Sequence, residues 1–136
     1  VADYQLTELQ LEIMQFLWDR GESTAGDVRA ALRSRRELAH TTVSTMLSRL
    51  EKKGIVRHRT EGRQFIYSAA VEPARVQRAV MSGFSDFLDR LFEGDVAHAV
   101  SHLLEESEVD AEDLARVREM IDRKERELKR KQGEDR

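Results

Sequence analysis

The hydroxyl and cationic side chains between Thr41 and Lys53 are the strongest chemical signal in the sequence. Thr41, Thr45, Ser48 and Lys52 recur at steps of four and three, so a helix places them on one face, with Ser44 and Arg49 on its flanks and no carboxylate among them. Hydroxyls and methyls suit base edges in a DNA major groove, and cations suit phosphates. On this reading Thr41, Thr42, Ser44, Thr45 and Ser48 approach bases. Arg49, Lys52, Lys53 and, further along, Arg63 hold the backbone or a groove edge. The alternative is the solvated face of an ordinary amphipathic helix, and the surrounding chain has to decide.

Other chemistry is thin. The chain has no cysteine, which excludes disulfides, thiolate metal sites and a cysteine nucleophile. Serines and histidines occur, but no Gly-x-Ser-x-Gly elbow and no phosphate-cradling glycine loop, so an enzyme is not expected. His98 and His102 stand four residues apart and share a helical face, a permissible spacing for two metal ligands. Two rings alone are an incomplete site, so neither a metal nor any other cofactor is expected.

Charge distribution favours the nucleic-acid reading. The formal net charge is -3, but residues 1–19 hold four acids and no Lys or Arg, whereas residues 20–63 hold 11 basic residues against 5 acids. From residue 64 onward 12 basic residues face 17 acids. A basic block between acidic flanks is the footprint of phosphate binding.

The elements that must carry these groups are legible in order. Thr7 with Gln10 forms a capping box, Leu6 and Leu11 are placed for a hydrophobic staple, and Leu9, Ile13, Phe16 and Leu17 give a helix with an apolar stripe that Gly21 ends. Ser23 or Thr24 caps a second helix with Asp27 in its first turn and Val28, Ala31 and Leu32 as its apolar face. Its other side carries Arg29, Arg33, Arg35 and Arg36, either a solubilising end or a phosphate clamp. After a short turn around Glu37 and Leu38 comes the stretch Ala39–Gly54, whose inner face is Val43, Met46, Leu47 and Leu50. Its start is weak, because Ala39-His40 replaces the usual cap; His40 as a cap and His40 as a groove-edge contact both stay open.

The periodicity then changes from 3.6 to 2. Residues 55–60 and 64–69 alternate on either side of Glu61-Gly62-Arg63, predicting a hairpin with Arg57, Arg59 and Arg63 beside a groove. Helix-turn-helix followed by hairpin is the winged form of the motif.

Pro73 opens three further helices. Val80, Phe84, Phe87, Leu88 and Leu91 line the first, after which Gly94 breaks the chain. Val100, Leu103 and Leu104 line the second; Asp110 with Asp113 caps the third, lined by Leu114, Val117 and Ile121, and its charged tail from Lys124 is expected to fray. This apolar surface follows an already complete winged domain, so it is expected to pair with a second copy; folding back on the same chain is the alternative. The expected fold is mainly α with a small antiparallel β-hairpin wing: residues 1–71 a winged helix-turn-helix DNA-binding domain, residues 72–136 a helical dimerisation region. No signal-peptide pattern or membrane-length apolar run occurs, so a cytoplasmic protein without membrane association is the default. The expected partners are double-stranded operator DNA and a second copy of the chain, with a protein-interaction scaffold that does not read DNA as the alternative function.

LTELQLEIMQFLW, TAGDVRAAL, TTVSTMLSRLEKKGIV and GRQFIYSAAV, in that order, resemble the penicillinase-repressor family, the BlaI/MecI/CopY group of bacterial winged-helix repressors. The block TTVSTMLSRLEKKG followed by GRxxxY is the specific part of the match. The resemblance implies a dimeric repressor that binds promoter dyads through the helix beginning near Thr41 and dimerises through its C-terminal helices. Its antibiotic-responsive branch implies a sensor-linked protease as partner, cutting typically at an Asn-Phe bond, where this chain has His102-Leu103. The copper-responsive branch uses a cysteine-rich metal site that a chain without cysteine cannot build.

Overall fold

The computed structural model describes residues 3–134. The chain divides into two compact units, Val1–Asp86 and Phe87–Arg136. The dividing point falls within a helix, downstream of the junction at residue 71 read from the sequence. The buried Val76, 4% exposed, lies upstream of that point and counts with the first unit.

In the first unit, α1 (Glu8–Arg20) begins on the expected box: Gln10 N–H donates to Thr7 Oγ1 at 3.2 Å, and Thr7 N–H donates to Gln10 Oε1 at 3.1 Å. It stops at Gly21, whose φ of 78° suits a residue without Cβ. Ile13, Met14 and Leu17 are fully or almost fully buried, Leu6, Leu9 and Phe16 pack partly against them, and Leu11 remains exposed.

A second box, Thr24 with Asp27, opens α2 (Ala25–Leu32). With the cap at Thr24 rather than Ser23, the inward residues are Ala25, Val28 and Leu32, at i, i+3 and i+7. Ala31, expected inward, sits one residue off that stripe and is exposed. Ser23 pairs instead with β2: its N–H donates to Tyr67 O at 2.9 Å, and Tyr67 N–H donates to Ser23 O at 2.8 Å.

Helix α3 (His40–Lys52) buries Val43, Leu47 and Leu50, with Met46 partly buried. Gly54, at φ 84°, turns the chain into β1 (Val56–Glu61), which pairs antiparallel with β2 (Gln64–Ala69) in the register Val56↔Ala69 to Glu61↔Gln64. Gly62, at φ 62°, makes the turn, so the hairpin is the one expected from the alternation. Ile55, Val56 and Tyr67 join the same core as α1, α2 and α3, and the Trp18 indole N–H donates to Val71 O at 3.0 Å, fixing the exit from β2 against α1. Leu47→Ala in such a core costs about 2–5 kcal/mol. The helix that follows, α4 (Pro73–Leu91), starts at its proline as expected.

In the second unit, Glu93 and Gly94, beyond the end of α4, both take positive φ, 53° and 80°. Asp95 then caps α5 (Val96–Glu106) through Oδ1, which accepts from His98 N–H at 3.0 Å. Asp110 and Asp113 exchange side-chain bonds to each other's N–H at the start of α6 (Ala111–Glu134). The helix continues through Glu134, so the charged tail does not fray over its described length; Asp135 and Arg136 lie outside the described residues. Neither α5 nor α6 contains a fully buried residue. Among the described residues no helix is long and apolar enough to cross a membrane.

Candidate nucleic-acid interface

The hydrophobic residues of α3 fix its orientation, and that orientation decides which polar groups are presented. With Val43, Leu47 and Leu50 inward, Thr41, Thr45, Ser48, Arg49 and Lys52 are exposed on the outer side. Thr42 and Ser44, at the edges of the buried stripe, are partly buried, and Ser44 Oγ lies 3.5 Å from His40 Nδ1. His40 is the first helical residue and not the cap: Ala39 holds that place and supplies no side-chain bond.

Lys53 has a different environment from the other cations. Its ammonium donates to Gln5 O and, at 3.2 Å, to Gln10 Oε1, while its own carbonyl accepts from Asp3 N–H at 2.7 Å. The segment from Asp3 to Gln5 is thereby tied to the end of α3. The buried Gln10, 4% exposed, serves both the capping box and this tie, a role invisible in local periodicity.

The wing sorts its arginines in a similar way. Arg63 at the tip is exposed and forms no ion pair among the described residues. Arg59, expected beside the groove, is instead committed on the protein, meeting Glu22 at 2.8 Å and Glu61 at 2.6 Å. The hydrogen bond and charge of Arg59 hold the Glu22 carboxyl below its ordinary value of 4.5, and the two carboxylates push the guanidinium pKa further up.

Sequence reasoning missed the contact that sets the wing against α3. Glu51, the one carboxylate of α3, points away from the outer face and meets His58 Nδ1 at 2.6 Å. The His58 ring stacks on Phe65 with centroids 4.4 Å apart, and Phe65 lies edge-on to Tyr67 at 6.3 Å. The period-2 face shared by Val56 and His58 was the available signal; the partner on α3 was not.

In the second unit the His98 and His102 rings stand 5.0 Å apart with Phe92 against both, at 5.1 and 5.5 Å. His102 Nδ1 lies 3.9 Å from Glu106. Among the described residues no group of three or more His, Cys, Asp or Glu converges as a metal site requires.

A helix-turn-helix with a hairpin wing is shared by many proteins, so comparison with known proteins carries the assignment further. The family model described as penicillinase repressor matches residues 6–123. The chain belongs to the penicillinase repressor family. That places it among DNA-binding transcriptional repressors and not among enzymes. Within the family it is 25% identical over 118 residues to the penicillinase repressor of Bacillus licheniformis, an alignment covering 87% of this chain and 90% of that relative. It is 19% identical over 121 residues to the methicillin resistance regulatory protein MecI of Mammaliicoccus sciuri, covering 89% and 96%. Among solved structures, the solution structure of the DNA-binding domain of the repressor BlaI is 30% identical with a TM-score of 0.49, covering 54% of this chain and 90% of that one.

Proposed function

We propose that the chain acts as a homodimeric repressor that reads a palindromic operator, with α3 of each copy in a major groove and the hairpin at its side. The observation that carries this reading is the outer face of α3: exposed hydroxyls and cations with no carboxylate among them, held by the buried Val43, Leu47 and Leu50 on the inner side. Thr41, Thr45 and Ser48 approach base edges, with Thr42 and Ser44 at the margin of the same face. Arg49 and Lys52 at the C-terminal half, and Arg63 on the wing, hold phosphates or a groove edge. Lys53 fastens the N-terminal segment to α3 through two of its three N–H donors and keeps the third for the backbone.

Pairing of two copies is supported by the apolar residues that the C-terminal helices leave exposed. Leu91 and Leu103 are each 61% exposed and Ile121 51%; Val80, Phe84, Phe87, Val100, Leu104 and Leu114 are also exposed, and Leu88 and Val117 partly so. Side chains of this size at this exposure mark an interaction surface. A second copy satisfies it and also gives two reading helices on a two-fold axis, matching half-sites about 34–36 Å apart or a multiple of that. Release of the operator then follows from any event that separates the paired helices, proteolysis within them included.

The experiment is binding of the purified full chain to a dyad from its own promoter region and to random duplex of equal length at moderate salt. The dyad is bound more tightly if the proposal is right. Equal binding, or none, favours a protein-interaction scaffold.

A further inference from the structure

The turn between α2 and α3 contains a notch of about 240 Å³ lined by Arg29, Arg33, Arg36, Glu37, Leu38 and Ala39. Three guanidiniums and one carboxylate line it, and with Glu12 counted against Arg36 the notch keeps an excess of one positive charge. Two of the arginines are held in place by the protein while keeping donors free. Arg29 Nε–H donates to Leu38 O at 2.8 Å, and Arg36 Nε–H donates to Glu12 Oε2 at 3.1 Å, a carboxylate whose side chain is only 14% exposed. A guanidinium has five N–H donors, so both forks still present Nη–H groups. Arg33 is exposed and has no side-chain partner among the described residues.

The same notch reaches Ala39, the residue before the first turn of α3, where no side chain caps the helix. Thr42 N–H already donates to Ala39 O at 3.1 Å, so the first-turn donors left beyond Ala39 are the N–H groups of His40 and Thr41, with the positive end of the helix dipole. α1 and α2 both begin on complete capping boxes, whereas α3 begins without a side-chain cap.

We propose that the notch framed by Arg29, Arg33 and Arg36 is an anion site that seats a DNA backbone phosphate, which supplies the missing cap of α3. This rests on the reading of α3 as the DNA-reading helix. In that docking the preceding helix crosses the phosphate backbone while the N-terminal residues of the reading helix meet base edges, which brings the α2–α3 turn to a phosphate. The contact fixes position and carries no sequence information.

The test titrates the full chain with dyad and random duplex over a salt series, for wild type, Arg33→Ala, Arg33→Lys and Ala39→Asp. Arg33→Ala is expected to weaken both duplexes by a similar factor, roughly three- to tenfold, and to lower the salt slope by about 1, while Arg33→Lys keeps most of the slope. Ala39→Asp caps α3 from within: it is expected to raise the Tm of the free protein by roughly 2–8 °C yet weaken DNA binding, because its carboxylate occupies the place of the phosphate. A parallel arm compares inorganic phosphate with chloride at equal ionic strength. Phosphate is expected to raise the Tm of wild type and not of Arg33→Ala. Wild type that prefers the dyad while Arg33→Ala and Ala39→Asp bind with unchanged affinity and slope overturns the notch assignment alone. A phosphate-dependent Tm lost in Arg33→Ala without any change in duplex binding makes the site one for a free anion and overturns the backbone assignment. Wild type that binds no duplex overturns the reading of α3 on which the proposal rests.

Discussion

Glu51 Oε1 lies 2.6 Å from His58 Nδ1, a bond that joins the last turn of α3 to the first strand of the wing. An ionised carboxylate only accepts, so the ring nitrogen donates. Phe65 of β2 stacks on the same ring at 4.4 Å within the wing, so the ring that meets Glu51 is itself held against the second strand. His58→Ala is expected to cost less than about 1 kcal/mol of stability, because the pair is partly exposed. It is expected to weaken operator binding through a misplaced wing, with faster amide exchange in residues 56–69 of the free protein. Unchanged exchange and unchanged affinity would show that the wing is placed without it.

Arg63 occupies the tip of the wing with no ion pair of its own among the described residues. Its replacement by Ala is expected to weaken binding to all sequences alike and to lower the log–log salt slope by about 1, since one phosphate contact releases its counterion. Titrations at a series of salt concentrations check this; an unaltered slope excludes a phosphate contact.

The pairing surface is tested at Leu91 and Leu103, each 61% exposed. Leu91→Asp and Leu103→Asp are each expected to raise the dimer Kd by about tenfold or more, because desolvated charge replaces apolar contact across the two-fold axis. Sedimentation at several concentrations reads the result, and far-ultraviolet circular dichroism checks that each protomer stays folded. A protein that is monomeric before substitution removes the dimer from the account.

The pH dependence of the Glu22–Arg59 pair has a defined sign. The folded Glu22 carboxyl titrates below its ordinary value of 4.5, chiefly through the hydrogen bond from Arg59, so the pair stabilises above that value and the contribution disappears as pH falls through the folded pKa. Both partners are exposed and screened, so the effect on overall stability is small. Carboxyl resonances followed by NMR are expected to place Glu22 below 4.5 and to return it toward that value in Arg59→Ala; the same midpoint in both proteins would contradict the pairing.

Much of this arrangement was legible because it is local. Thr7 with Gln10, Thr24 with Asp27 and Asp110 with Asp113 are three residues apart, and each formed the cap its spacing predicts. The hairpin followed from alternation around Gly62, and Pro73 marked the start of α4. The illegible parts join residues distant in sequence. Arg59 looked like a wing cation until Glu22, 37 residues away, was found against it. Lys53 reads as a phosphate ligand, and no spacing shows that its ammonium also meets Gln5 and Gln10. Either Ser23 or Thr24 could cap α2; Thr24 does, and Ser23 is a strand partner of Tyr67. No periodicity encodes such pairs, because they arise only when the core around Leu17, Leu47 and Tyr67 brings the elements together.

If the outer face of α3 reads sequence, Thr45, exposed at the middle of that face, carries part of the reading. The measurement is the affinity of wild type and Thr45→Ala for a panel of operators differing by single base pairs, with random duplex alongside. Expected are a loss of roughly 1–3 kcal/mol on the native operator, discrimination abolished at one base pair in each half-site, and random-duplex affinity unchanged. Equal weakening on native and random duplex, with discrimination intact at every position, would contradict that reading.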